Sequence, residues 1–215
     1  MKKSDWRKIA GYCGLLAPSI AVVSIVLAIL ASPNFSFAGN ALSDLGIEPG
    51  IAALLFNYGL IVSGMLFLAF SFGLFARLAG AGRLGAAVMA LASIALAAVG
   101  AFPENLEPLH FYASFSYFLL FPLATLLVAT ALSRDGEKRL AWRGYVSVLI
   151  AFASILWIAR SGHGIAIPEI VHALAMFWLP FVLGRSMAGR EKFTPSPAPS
   201  GRLRTSSPAS RAAGR

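Results

Sequence analysis

Two pairs of polar residues are spaced so that each pair shares one face of an α-helix. His110 lies four residues before Ser114, and Glu169 lies three residues before His172. Side chains at these spacings lie next to each other on a helix. Imidazole and carboxylate groups bind zinc, transfer protons and form hydrogen bonds with polar ligands. These pairs are therefore the first candidates for a functional site.

Four further polar residues are placed to join these pairs at one end of a helical bundle. Ser43 and Asp44 precede a long apolar segment that contains Asn57, and Arg160 ends another such segment. Arg favours the geometry of phosphate, and the other side chains can donate or accept hydrogen bonds from a polar headgroup. Structural roles remain open, because Asp44 can cap a turn, Glu169 suits the positive end of a helix and Arg160 can extend toward lipid phosphate.

The elements that hold these residues are long apolar segments. The chain has 215 residues, of which 58% are hydrophobic and only 13% are charged, and roughly 20 apolar residues in helical geometry cross the hydrocarbon of a bilayer. The segments do not alternate as lipid-facing barrel strands would, so they predict one all-α transmembrane domain over residues 9–187. Its six helices are predicted at Ile9 to Ala31, Ile51 to Ala76, Leu84 to Phe102, Phe111 to Ser133, Gly144 to Ala159 and Pro168 to Met187.

The basic residues predict the orientation of the helices. Every Lys and Arg except Arg160 falls on one side of the predicted bundle, and the positive-inside rule assigns that side to the cytoplasm. Residues 1–8 then form a basic cytoplasmic terminus, and residues 188–215, rich in Pro, Ser and Arg, form a disordered cytoplasmic tail. The net charge of +9 is explained by this topology and by anionic lipid, not by nucleic acid. We predict a multi-pass protein of a prokaryotic cytoplasmic membrane.

Two other patterns concern the connections and packing of the helices. The loop from Ser32 to Gly50 contains no Lys or Arg and is expected to fold over the external mouth of the bundle. Small residues recur on helices 2 and 3, at Gly59, Ser63, Ala86, Ala87, Ala90, Ser93, Ala97 and Gly100. Such faces let membrane helices approach closely, within one chain or between copies, so the pattern is compatible with a homo-oligomer.

Three short motifs resemble a known family. They are Asn40-Ala-Leu-Ser-Asp-Leu-Gly46, Leu55-Phe-Asn-Tyr-Gly-Leu60 and Gly100-Ala-Phe-Pro-Glu104, and they precede His110 in this order. The chain resembles the six-helix prokaryotic membrane family known as domain of unknown function 998, over most of residues 10–187. This resemblance implies the fold and no activity.

The layout is also distantly similar to the DRAM and Sfk families and to the membrane hydrolases that include alkaline ceramidases and adiponectin-receptor relatives. The last likeness implies a metal held by several histidines, with a nearby Asp and Ser. Those hydrolases usually carry two histidines four residues apart on the final helix. Here His172 stands alone, because Pro168 and Met176 occupy the corresponding positions.

Three functions remain open from the sequence, and no enzymatic activity is assigned. The first is recognition of a lipid headgroup or small polar ligand at the external face, with Asn57, His110, Arg160, Glu169 and His172 as binding candidates. The second is a metal-dependent hydrolase that acts on lipid. There His110, His172 and Asp44 would hold zinc, with Glu169 as an alternative carboxylate, and Ser43 or Ser114 would stabilise an oxyanion.

The third function is a carrier for a small solute or ion. Its support is limited to Pro18, Pro122 and Pro180, which can kink membrane helices. Polar relays through the bilayer centre are lacking, because the spans beyond Asn57 carry mainly Ser, Thr, Gly and Pro. Membrane lipids are the partners common to all three interpretations.

Overall fold

The computed structural model describes residues 3–161 and 164–189 and is all-α over that part of the chain. A short 3₁₀ helix, Ser43–Gly46, precedes the second long helix. The six long helices are α1 (Lys3–Leu30), α2 (Ile51–Arg77), α3 (Ala81–Ala101), α4 (Leu109–Arg134), α5 (Lys138–Arg160) and α6 (Ala166–Ala188). All six are long and apolar enough to cross a membrane. The predicted fold class is therefore confirmed, and the protein is a multi-pass membrane protein.

The helices extend beyond the predicted apolar runs at several ends. Helix α5 begins at Lys138, well before the predicted start at Gly144, and α1 begins at Lys3, inside the segment predicted as a separate basic terminus. Long basic side chains can reach water or headgroups from a helix that continues past the hydrocarbon, so a charged turn need not end the helix. The predicted tail lies outside the described residues from position 190 onward.

The six helices form a closed ring. Each helix packs against its neighbours in the sequence, and α6 returns to pack against α1. The centre is filled by aromatic rings of α2, α4 and α6: the Phe67 ring lies 5.4 Å from that of Phe121 and 5.3 Å from that of Phe177. Phe67 and Phe121 are completely buried. This aromatic centre separates the two ends of the bundle.

Small residues bring neighbouring helices together inside the chain. A Cβ atom on Gly64 of α2 would lie 2.7 Å from the Ser93 carbonyl oxygen of α3, and one on Gly184 of α6 would lie 2.8 Å from the Gly11 carbonyl oxygen of α1. Ser63, Ala86 and Ser93 are also buried. These members of the small-residue faces pack within one chain, so association between copies remains a prediction.

Candidate functional site

The loop between α1 and α2 folds over the end of the bundle opposite the start of α1 and the end of α6, here called the distal end. The backbone N–H of Leu42 donates a 2.6 Å hydrogen bond to Glu169 Oε2, and the N–H of Ala166 donates to the Asn40 carbonyl oxygen at 3.0 Å. Leu42 and Leu45 are buried in the core. The loop is thus fastened to the start of α6, as the sequence led us to expect of a loop over the bundle mouth.

Asp44 holds the turn of this loop. Its Oδ2 accepts hydrogen bonds from the Asn40 side-chain amide at 2.6 Å and from the Ala41 N–H at 3.1 Å. The Asn40 carbonyl-type Oδ1 accepts in turn from the Ser36 N–H at 2.9 Å. The catalytic and metal-binding candidate Asp44 therefore has a structural role in the described chain.

A cavity of about 520 Å³ opens at the distal end between α4, α5 and the start of α6, and is here called the outer cavity. Apolar side chains of α4 and α5, including Phe115 and Ile158, form most of its wall. Its polar lining residues are Ser43, Glu104, Glu107, His110, Ser114 and Glu169. Within residues 3–161 and 164–189, no Lys or Arg lines this cavity, so its polar part is acidic.

A second, narrower cavity of about 60 Å³ lies deeper in the bundle and is here called the inner cavity. Ser43, Ser114, Phe118 and Glu169 line both cavities, so these four residues, three of them polar, mark the junction between them. The rest of the inner lining is nearly all apolar and includes Tyr117 and Phe177 beside the aromatic centre. The distal end therefore offers a polar junction between a wide chamber and a narrow apolar one.

His110 and Ser114 are hydrogen-bonded at the start of α4. The His110 Nδ1 lies 2.8 Å from the Phe102 carbonyl oxygen, and its Nε2 lies 3.3 Å from the Ser114 Oγ. A carbonyl oxygen only accepts, so Nδ1 carries a proton, and in the neutral ring Nε2 is left to accept from the serine hydroxyl. The pair predicted from spacing is thus assembled and oriented.

Burial raises the pKa of Glu104, in the loop between α3 and α4, above its ordinary value. The nearby Asp44 carboxyl raises this pKa further, whereas Ser43 and His110 lower it. Glu104 Oε2 is buried and has no hydrogen-bond partner. Folding therefore favours the protonated form of Glu104, because ionisation would place a second negative charge beside Asp44.

The substitution Glu104→Gln tests this electrostatic cost. Because the folded chain holds the Glu104 proton more tightly than the unfolded chain, this group's contribution to stability falls as pH rises from the ordinary carboxyl range through its raised pKa. We expect E104Q to melt at a higher temperature than the unchanged protein at pH 8, with a difference that shrinks toward pH 5. Thermal unfolding in detergent at pH 8 and at pH 5 measures the melting temperatures of both proteins. The matched control is Glu107→Gln, in the same loop but exposed; a difference in E104Q that does not vary with pH would contradict the assignment.

Three predicted site residues do not join the cavity lining. Arg160 is exposed on α5 and its guanidinium contacts the Leu156 carbonyl of its own helix at 3.5 Å. Asn57 donates to the Gly46 carbonyl at 2.8 Å and so ties α2 to the loop. His172 is completely buried, with its ring 4.5 Å from that of Phe118. The rotation of each helix about its axis turns these side chains away from the cavity.

The described residues give no metal centre. They contain no group of three or more His, Cys, Asp or Glu side chains that could hold an ion. Both nitrogens of His110 have neighbours, the Phe102 carbonyl and the Ser114 hydroxyl, and those of His172 lack hydrogen-bond partners in an aromatic setting. The donor set of His110, His172 and Asp44 therefore does not fit a zinc site.

Two cavity residues, Glu104 and Glu107, are absent from the candidates chosen by sequence. They stand in a short acidic segment just before His110. That closeness to a predicted site residue is the signal that could have identified them.

The carrier interpretation gains nothing, since α1, α4 and α6 each continue through their internal proline.

Fold and site together define a six-helix membrane protein with an acidic cavity at one end. The chain belongs to the family described as Protein of unknown function (DUF998), whose model matches residues 15–186. This match confirms the resemblance drawn from the three motifs. No curated protein and no solved structure matches the chain. The likeness to DRAM, Sfk and ceramidase-like proteins stays a prediction.

Proposed function

We propose that this protein binds a single-chain or lipid-like amphiphile in the outer cavity, at the external face of a prokaryotic cytoplasmic membrane. The observation that carries the proposal is the composition of the cavity: six polar residues line it, while the walls from α4 and α5 are mostly apolar. An amphiphile has the same division between head and chain. Ligand sites of proteins are commonly apolar clefts with a few placed polar groups.

The polar lining favours a neutral or cationic head over a phosphate. Glu104, Glu107 and Glu169 line the outer cavity without a described Lys or Arg, so a buried phosphate would have no positive partner there. The sequence prediction used Arg160 to bind phosphate, but Arg160 lies outside the lining. We therefore replace phosphate recognition with recognition of a head that donates hydrogen bonds, such as an amine or a polyol.

The apolar wall supports entry from the bilayer. Phe111 and Phe115 of α4 are both exposed and their rings stack at 6.0 Å along the cavity rim. The exposed face of a membrane helix meets lipid chains, so an amphiphile would not have to leave the membrane to reach this rim. The inner cavity beyond the junction supplies a narrow apolar place for part of the chain.

Photolabelling in phosphatidylcholine nanodiscs tests this function. Two probes of equal chain length, a photoreactive alkyl amine and a photoreactive alkyl phosphate, are compared by mass spectrometry of labelled peptides. We expect the amine to label α4 and α5 around the outer cavity and the phosphate to label them less. In the variant Ala159→Trp, a bulky ring on a cavity residue should reduce amine labelling.

The matched control is Ala153→Trp on the same helix. Ala153 is exposed like Ala159 but does not line the cavity, so its replacement should leave labelling unchanged. Equal labelling of both tryptophan variants would show that the probe binds elsewhere, and would contradict the proposed function. Stronger labelling by the phosphate would retain the cavity but reject the proposed head chemistry.

A further inference from the structure

The geometry points to Ser114 and His110 as a nucleophile and base that hydrolyse a carboxylic ester of an amphiphile held in the outer cavity. This inference rests on the proposed function, because the substrate must occupy that cavity. It differs from the metal-dependent hydrolase considered from the sequence, since the serine oxygen itself would attack the ester.

The hydrogen bonds that run from the Phe102 carbonyl through His110 to Ser114 fit a serine that is activated by a histidine. Such sites place the nucleophile within reach of a base, and a third group orients the base. Here the Phe102 carbonyl orients the His110 ring through Nδ1 at 2.8 Å, so that Nε2 faces the Ser114 hydroxyl at 3.3 Å. A backbone carbonyl fixes the tautomer that leaves Nε2 free to accept the proton. The serine contact is slightly long, as is common before a substrate binds.

The position of Ser114 fits the attack on an ester in the middle of an amphiphile. Ser114 lines both the outer and the inner cavity, so a carbonyl at the junction would have a chain on one side and a head on the other. His110 is buried, which keeps the base away from bulk water. Ser43 also lines both cavities, and its hydroxyl would be the donor to the oxyanion.

The acidic lining of the cavity favours a carboxylic ester over a phosphoester. The carboxyl groups of Glu104, Glu107 and Glu169 line the same chamber without a described Lys or Arg, so the negative oxygens of a phosphoester would have no positive partner there. A carboxylic ester is uncharged before attack. The class of substrate is therefore an acyl ester with a neutral or cationic alcohol portion.

The reaction balances with water as the only co-reactant. Ser114 Oγ bonds to the ester carbonyl carbon while its proton moves to His110 Nε2. The carbon–oxygen bond to the alcohol then breaks, and the alcohol leaves with that proton. Water next attacks the acyl group on Ser114, gives its proton to His110, and releases the carboxylic acid as the proton returns to Ser114. The net change is ester plus water to acid plus alcohol.

Acylation of the purified protein by p-nitrophenyl dodecanoate tests the inference. Release of p-nitrophenol is followed by absorbance, and acid-stopped samples are analysed by mass spectrometry for a dodecanoyl group on Ser114. We expect the adduct in the unchanged protein and its loss in Ser114→Ala. His110→Gln should slow acylation by about 100-fold or more, the usual share of a general base. Ser116→Ala, on the same helix but outside both cavities, should react like the unchanged protein.

Photolabelling by the alkyl amine separates the failure of this inference from the failure of the proposed function. S114A should still be labelled in the outer cavity, because the change removes the nucleophile and leaves the chamber. Absence of the Ser114 adduct in a labelled, folded protein would overturn the hydrolase inference alone, as would equal acylation of S114A. Absence of labelling would reject the proposed function as well. A thermal unfolding curve for each variant shows that it is folded.

Discussion

Replacing Glu169 by Ala is expected to release the α1–α2 loop and to abolish amphiphile binding. The Leu42 N–H, which donates to Glu169 Oε2 at 2.6 Å, would lose its partner in a buried place. A buried unpaired donor costs about 1–3 kcal/mol. Because Glu169 also lines both cavities, the same change removes one of the polar groups at the junction.

Chymotrypsin measures the loop in this experiment. The loop contains Phe35 and Phe37, both suitable cleavage sites, and they should be cut faster in E169A than in the unchanged protein. Glu169→Gln retains an oxygen that accepts from Leu42 and should protect the loop in part. Glu48→Ala removes a carboxylate of the loop itself and should have little effect. Equal cleavage rates in E169A and E48A would show that the Glu169 bond does not hold the loop.

Replacing Phe121 by Ala is expected to cost about 3–5 kcal/mol of stability, the usual range for a buried aromatic ring. Phe121 is fully buried, and its ring lies 5.4 Å from that of Phe67 and 5.6 Å from that of Tyr117. Tyr117 lines the inner cavity, so the space left by the ring would extend that cavity toward the aromatic centre. We expect the variant to retain longer chains than the unchanged protein.

Two measurements separate these effects of Phe121→Ala. Thermal unfolding in detergent gives the loss of stability, and photolabelling with a series of alkyl amines gives the preferred chain length. Phe111→Ala is the matched control on α4, because Phe111 is exposed at the cavity rim, and it should change stability much less. An unchanged chain-length preference in a folded F121A variant would show that the ligand does not enter the inner cavity.

The helices could be predicted from sequence because run length alone identifies a membrane span. The position of each polar residue along the bundle axis could be predicted in the same way, and His110, Ser114, Ser43 and Glu169 do line one chamber. The direction in which each side chain points around its helix axis could not be predicted. When nearly every face of a helix is apolar, periodicity does not distinguish the lipid-facing side from the interior.

Arg160 and His172 show the two ways in which an unpredicted helix rotation keeps a polar side chain out of the chamber. Arg160 lies at the predicted depth but on the exposed side of α5, whereas His172 lies inside the aromatic packing, near Phe118. Glu104 reaches the chamber because a short loop between α3 and α4 returns it beside Asp44. The path of that loop depends on how both helices end, which residue composition does not reveal.

The bond between Leu42 and Glu169 joins residues that are 127 positions apart. Proteins are synthesised from the amino terminus, so α1 and its loop emerge from the ribosome long before α6. The loop therefore has no partner for its Leu42 N–H until the last helix has been inserted. The distal chamber is consequently completed only at a late stage of biogenesis, and a nascent chain arrested before α6 would lack it.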